Sequence, residues 1–597
     1  KKKFQFFLPP SAEDFKGLMY RFLGRGKRGE KDMQWVKDNL LTPYSKAYKN
    51  WNSYKQRMST DYGNLKNKYK DVVRSLNKKV EGTSFTVDQA VRVYLWNKNG
   101  IDIPGLAETT KQKLIKHVKS NQDLINFSNG LQSISKAPDG YIKPNDYWVA
   151  ETIASDLNKL VNGYGREIAF AEWIANKNEI FSKENLNKIE ATEGSSYRIE
   201  LEKMLHRMET GRNRTIGKDS QVNAWLNWIN GSVGAVMFFN MRSAGLQTMS
   251  MVNFINWSDN NVFKSAKAFA NQAQFWTDFS YIFNSDMLKQ RRAGLEIDVS
   301  ASELTAKFKE SNGKPQAIIA YLLEKGFTPT RIADSFAIAM GGAGFYRNRI
   351  ETYVKQGMSQ KEAENQAFLD FQEIAEETQQ SSRPDLISNQ QAGPLGRLVL
   401  AWQNTPMQYT RLTKKAMSDL VNNRGDKKTN VSKMIYYGAA QNIMFSALQT
   451  GLAFTLFGAE FDDEKMLQKE KRVANGALDS FLRGTGIYGS AAATLKNTLI
   501  QWDYERNQPY GKRQDWRIMR EAVSLSPPMG SKYRKIMYAI KTEQYNQGVS
   551  EEIGLRLENP NLSIIANMTE GLTNIPTGRL LNKANNLEEV INGNHQL

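Results

Sequence analysis

The sequence predicts an all-α protein, an elongated multi-subdomain assembly of long helices with few or no strands, and three observations lead there. Only 16 prolines occur in 597 residues, and none lies between Pro144 and Pro315, so about 170 residues run free of the strongest helix breaker. Strand signals are scarce; Asp139-Gly140 ahead of Tyr141-Ile142 is one weak case. Third, Tyr44, Tyr48, Trp51, Met58, Tyr62, Leu65, Tyr69, Val72 and Leu76 step by four and three residues with one vacancy at Lys55.

That stripe predicts one helix roughly 50 Å long, with Gly63 as its weak point. Its aromatics admit two uses. They could stack on bases beside Lys66, Lys68, Lys70, Arg74, Lys78 and Lys79, or form a packing seam against another helix, and the heptad spacing favours the seam. Gly82, the turn Asn97-Lys98-Asn99-Gly100, Pro104 and Ala137-Pro138-Asp139-Gly140 break the chain after it. The expected organisation is a basic helical region over 1–140, a long-helix body over 141–312 and a second body over 313–425. An apolar Gly/Ala-rich helical region over 426–520 and a polar tail over 521–597 follow. Asn422 to Lys428 reads as an exposed connector, and Ser311 to Pro315 as the break between the two bodies.

A chain of 67.9 kDa with 40% hydrophobic and 24% charged residues has globular composition and exceeds one core. Its net charge of +19 is uneven: residues 1–80 carry 20 Lys and Arg against 7 Asp and Glu. Such an end suits a polyanion, either nucleic acid or an anionic membrane, although a solvated helical face has the same composition. With no cysteine, disulfides, thiolate nucleophiles and cysteine-based metal sites are excluded. The chain opens on Lys1-Lys2-Lys3-Phe4 without an initiator Met, as expected of a processed product, and Leu8-Pro9-Pro10 interrupts any signal-like apolar run.

Chemistry is sparsely signalled. His117, His206 and His595 are too scattered for a metal triad, and neither a phosphate loop of the GxxxxGK[ST] type nor a GxSxG elbow occurs. Gly24-Arg25-Gly26-Lys27-Arg28-Gly29 spells GxGxxG, but its variable positions are basic and no strand signal precedes it. A flexible basic loop touching phosphate through Arg25, Lys27 and Arg28 is the more natural use. The nucleic-acid candidates are therefore Arg25, Lys27, Arg28, Lys66, Lys70 and Arg74. Glu200, Glu202 and Glu209 around His206 make a dense polar cluster that Arg198–Glu202 and Glu200–Lys203 pairing explains without catalysis. No catalytic, cofactor or metal site is expected.

Two stretches are nearly free of charge. Residues 220–258 contain only Arg242, and 434–457 contain none, a length that suffices to span a bilayer. Asn442, Ser446 and Gln449 nevertheless form a polar stripe along the second, which favours a buried helix of a soluble bundle over a constitutive span. Conditional membrane contact through Trp228, Phe238, Phe239, Trp257, Phe445 and Phe454 is the third option. Gly341-Gly342-Ala343-Gly344 and Gly484 to Ala493 supply small-residue surfaces for close helix approach.

The runs GRNRTIGKDSQVNAWLNWINGSVGAVMFFNMRSAGLQTMSMVNFINW from Gly211 and ETQQSSRPDLISNQQAGPLGRLVLAWQNTPMQYTRLTKKAMSDL from Glu377 resemble segments of large virion-packaged cargo or ejection proteins of short-tailed bacteriophages, including the crAss-like group. The resemblance covers about residues 165–460, and no catalytic motif of muralytic or polymerase modules matches. It implies a non-enzymatic virion protein stored in the portal or tail lumen and delivered into the host with the genome. Its implied partners are portal, tail and other cargo subunits in multiple copies, phage DNA and the host membrane. An intracellular nucleic-acid-binding protein and an enzyme module of a phage polyprotein remain the alternatives.

Overall fold

The computed structural model describes residues 10–212, 254–255, 260–291, 329–378, 383–400, 403–440, 475–509, 514–545, 559–573 and 577. The chain is all-α. Among the described residues the only β feature is an isolated antiparallel bridge between Lys79 and Thr86. Two units divide the chain. The first comprises Lys1–Val36, Lys183–Phe279 and Ala301–Leu597; the second comprises Lys37–Ser182 and Ser280–Ser300.

The second unit is built on the predicted stripe. Pro43 in the first turn starts the helix Thr42–Lys68, and Tyr44, Trp51 and Met58 are buried along it. Gly63 does not break this helix. Tyr69 does, with φ −119° and ψ 54°, and Lys70–Ser75 resumes beyond it carrying buried Val72. The seam is therefore interrupted later than glycine propensity predicts, and its inner face stays apolar on both sides of the interruption.

Stripe aromatics pack on one another and on the helix Tyr164–Ile180: Tyr44 lies 5.4 Å from Phe170 and 5.0 Å from Trp173 between ring centroids. Trp51 Nε1 donates to the Val161 carbonyl at 2.9 Å. Tyr44 and Trp51 are therefore held in packing within the unit. The helix Val87–Lys98 begins in a capping box in which Thr86 Oγ1 accepts from Gln89 N–H and Gln89 Oε1 accepts from Thr86 N–H. Its Val91, Val93, Leu95 and Trp96 join Leu114, Val118, Phe127, Leu131, Trp148, Ile153 and Leu157 in one core. That core runs through the boundary expected near residue 140, because Trp148 and the helix Ile153–Asn162 pack with residues that precede it.

In the first unit, extensive helix pairings join neighbours in sequence: Pro329–Lys355 with Gln360–Thr378, Asn404–Val421 with Lys427–Ile435, and Pro527–Tyr545 with Pro560–Thr573. The last pair lies in the stretch expected as a polar tail. A Cβ at Gly342 would meet Phe371 Cε2 at 2.3 Å, so the glycine cluster admits the ring of the facing helix, as its small-residue composition anticipates.

One association in this unit spans most of the chain. Residues 10–36 lie against 373–424: Phe15 N–H donates to the Asp385 carbonyl at 2.9 Å and Gly26 N–H to the Asn422 carbonyl at 2.8 Å. Arg424, in the expected exposed connector, is instead buried; it donates to Asp419 at 2.7 Å and to the Gly24 carbonyl at 3.0 Å.

Candidate nucleic-acid interface

Burial of the apolar stripe pushes the intervening residues outward, which makes a cationic surface at the end of the 42–68 helix. Lys66, Lys68, Lys70, Arg74, Lys78 and Lys79 are all exposed, with Asp71 the only carboxylate in residues 66–79. Arg74 reaches Asp71 at 3.1 Å in a fully solvated pair, which holds little energy and yields readily to a competing anion. Lys66 Nζ stands over the Tyr62 ring, 4.8 Å from its centroid, and Lys68 Nζ over that of Tyr69 at 5.5 Å, so each ammonium group rests on an aromatic face while its side chain stays exposed. Four of these cations, Lys66, Lys68, Lys70 and Arg74, lie on the helices Thr42–Lys68 and Lys70–Ser75, and Lys78 and Lys79 follow in the turn beyond, a run of side chains suited to successive phosphates.

Arg25, Lys27 and Arg28 are likewise exposed, and they belong to the first unit. The GxGxxG run here is a turn into the helix Gly26–Val36 and not a flexible loop. Gly26 takes φ +53°, Gly24 N–H donates to Asp32 Oδ2 at 2.8 Å, and a Cβ on Gly29 would lie 2.1 Å from the Gly24 carbonyl oxygen. Close backbone packing accounts for these glycines.

Trp228, Phe238, Phe239, Trp257, Phe445 and Phe454 lie outside the described residues, as does the Asn442, Ser446, Gln449 stripe. Among the described residues no helix is long and apolar enough to cross a membrane, and no three acidic or histidine side chains are grouped to hold a metal ion. The Glu200 cluster pairs as its spacing indicates, Arg198 with Glu202 at 3.1 Å and Lys203 with Glu200 at 2.9 Å.

Buried polar networks carry no local signal in the sequence. In the second unit Arg92 is wholly buried and grips Asp156 with two bonds, Nε to Oδ2 at 2.6 Å and Nη2 to Oδ1 at 2.9 Å. Its Nη1 donates to the carbonyls of Trp148 and Glu151 at 2.7 and 2.8 Å, and the guanidinium lies 4.8 Å from the Trp96 ring centroid. Asp88 accepts from Ile153 N–H at 3.3 Å. Burial pushes its carboxyl up to about 6, against the opposing pull of that bond and of Arg92.

A carboxyl whose folded pKa exceeds its unfolded one favours folding most when protonated, and this contribution declines as pH rises from about 4 to about 6. Asp88→Asn is therefore expected to stabilise the second unit at pH 7 by on the order of 1 kcal/mol or more and to flatten stability across that window. Thermal unfolding of both proteins between pH 4 and 7 checks this; equal slopes would refute the assignment.

In the first unit Asp14 has two tasks. Oδ1 caps the helix Phe15–Met19 by accepting from Gly17 N–H at 2.7 Å, while Oδ2 accepts from Lys415 Nζ at 2.6 Å and Gln408 Nε2 at 3.2 Å. Burial opposes its charge, but Lys415 and Arg411 outweigh burial and hold the carboxyl below its ordinary value. Lys16 donates to Glu377 at 3.0 Å, and Arg411 donates to the Leu386 carbonyl and Gln391 Oε1 at 2.6 and 2.7 Å. This enclosed set forms a polar core holding residues 10–20 to 373–424. No protein-family model matches the chain, and no curated protein or solved structure matches it.

Proposed function

We propose that this chain is a helical virion protein of a tailed bacteriophage, stored in the portal or tail lumen and delivered into the host with the genome. The observation that carries the reading is the prevalence of helix pairs formed between sequence neighbours. A chain that leaves through a narrow channel must be drawn out and must refold. Local pairings reform fast because little loop entropy is lost in closing them. With no cysteine in the sequence, no disulfide has to be cut first. The resemblance of residues 165–460 to packaged cargo proteins points the same way. In this reading the partners are portal, tail and other cargo subunits, with the low-charge stretches 220–258 and 434–457 meeting the host envelope during ejection.

Quantitative mass spectrometry of purified particles before and after triggered genome release tests it. Peptides from this chain are expected in full particles and should be lost from emptied ones. Retention in emptied particles would make it a fixed tail or portal component. Absence from both would favour an intracellular nucleic-acid-binding role.

The cationic surface at 66–79 favours DNA contact in either case. Combining Lys66→Glu, Lys70→Glu and Arg74→Glu is expected to weaken duplex DNA binding at every sequence tested. It should also lower the slope of log affinity against log salt by about 2–3, for three lost phosphate contacts. Helix content should not change, because all three side chains are exposed. Unaltered affinity and slope would remove this surface from the binding account. The companion variant at Arg25, Lys27 and Arg28 measures the first unit's patch separately.

A further inference from the structure

The helix Gln122–Ser135 turns Leu124, Phe127, Ser128, Leu131 and Ser135 into the core of the second unit. Different neighbours occupy its two flanks. On one, Gly130 lets the 42–68 helix approach so closely that a Cβ there would collide with Leu65 Cδ1, and Phe127 meets Tyr69 with 6.2 Å between ring centroids. Lys66, next to Leu65, and Lys70, next to Tyr69, stand exposed along this flank. On the other, Lys98 at the end of the 87–98 helix donates to Asn129 Oδ1 at 2.7 Å and to Gln132 Oε1 at 2.9 Å. At 100° per residue, Asn129 and Gln132 lie about 100–160° around the helix from Gly130, with exposed Ser133 between the flanks.

The setting of Lys98 points to an anion. An exposed lysine keeps its rotamer freedom unless something holds it. Here the holders are neutral, and they are themselves held: Gln132 Nε2 donates to Asn99 Oδ1 at 2.8 Å, and Asn99 Nδ2 to the Leu95 carbonyl at 2.7 Å. Among the described residues no carboxylate pairs with Lys98, so its charge is positioned in advance and left uncompensated. Asp123 is the only carboxylate of the Gln122–Ser135 helix, and it lies in the first turn, about 9 Å along the axis from Asn129.

Two properties select the ligand. Among the described residues no large apolar side chain is exposed between Trp35 and Tyr147, so this face has nothing to insert into a bilayer. Its cations stand on both sides of one helix, roughly 10–12 Å apart. That separation is close to the ~12 Å width of the major groove of B-form DNA, whose two edges carry the phosphates of different strands.

We infer that duplex DNA lies across the Gln122–Ser135 helix, with the phosphates of one strand on Lys66 and Lys70 and those of the other on Lys98. This deepens the DNA contact of residues 66–79 and rests on it. The second row of contact and the preference for two strands are new.

Binding of the full chain to a fluorescent DNA duplex across a salt series tests the inference. Lys98→Gln should raise the dissociation constant roughly tenfold at about 0.1 M salt and lower the slope of log affinity against log salt by about 1, for one lost phosphate contact. Asn129→Asp should weaken binding at least as much, because it gives Lys98 a carboxylate and adds a negative charge to the face, while helicity and melting temperature hold. Lys188→Gln, which removes the same charge from an exposed site of the first unit, should leave affinity and slope unchanged. One strand of the duplex alone should bind more weakly and lose less on Lys98→Gln. If the triple glutamate variant at Lys66, Lys70 and Arg74 weakens binding while Lys98→Gln and Asn129→Asp do not, the second row is overturned and the 66–79 contact stands. If none of these variants weakens binding, or the chain binds no duplex, both fall. Equal losses from Lys98→Gln and Lys188→Gln would reduce the effect to net charge and overturn the proposal, as would a single strand bound as tightly as the duplex.

Discussion

Replacing Arg92 with Met is expected to destabilise the second unit by ~3–5 kcal/mol, the range for removing one partner of a buried ion pair. The guanidinium supplies four of the bonds that close this core, and its loss strands Asp156 with a charge and no counterion in a nearly water-free site. The carbonyls of Trp148 and Glu151 lose a donor at the same time. Hydrogen exchange reads the effect locally: amides of the 87–98 and 153–162 helices should exchange on the order of 10²–10³ times faster. Adding Asp156→Leu to Arg92→Met should recover much of the protection, because the stranded charge goes with it. A double variant no better protected than the single one would show that the pair is not what holds the two helices together.

A comparable loss is expected for Lys415→Met in the first unit. Asp14 is fully buried, and without Lys415 only Gln408, the Gly17 amide and the field of Arg411 remain to compensate its charge. A cost of about 3–5 kcal/mol should appear as detachment of residues 10–36, read as faster proteolysis within that segment. Adding Asp14→Asn should restore resistance, since asparagine keeps an acceptor at the helix start while removing the stranded charge.

The wild-type contact also has a defined pH response. Against the cost of burial, Asp14 is held below its ordinary value by Lys415 and Arg411, and Glu377 by Lys16 and Lys415. Their stabilisation is fully present above the unfolded carboxyl range and is lost as pH falls through the lowered folded values. Protease sensitivity of residues 10–36 should therefore rise below about pH 4 and not between pH 5 and 8. Release in the higher window would locate the control in some other group.

How far the sequence disclosed this molecule depended on the range of the interaction. The all-α class and the inward face of 44–76 were legible, because helical periodicity relates residues only three or four apart, and so were the small-residue contact at Gly342 and the ion pairs of the 195–210 helix. Exposure of Lys66, Lys70 and Arg74 followed from the same periodicity. The Tyr69 break was not legible, since Gly63 has the weaker intrinsic propensity and packing overrode it. Nor were the polar cores. Asp14 and Lys415 are separated by 401 positions and Arg92 and Asp156 by 64, and no local pattern links them. Arg424 read as part of a solvated turn for the same reason. Its carboxylate Asp419 is near, but the Gly24 carbonyl it also serves is 400 residues away.

The contact between residues 10–36 and 373–424 imposes an order on biosynthesis. At 5–20 residues per second, roughly 20–80 s separate the emergence of Asp14 from that of Lys415. During that interval residues 10–36 must wait without their partners, while the 37–182 portion of the second unit, whose core lies wholly behind them in sequence, has time to form. The first unit is thus completed only after residue 415 has been made, and a ribosome stalled before it would display a nascent chain whose residues 10–36 are still available to chaperones or to nucleic acid.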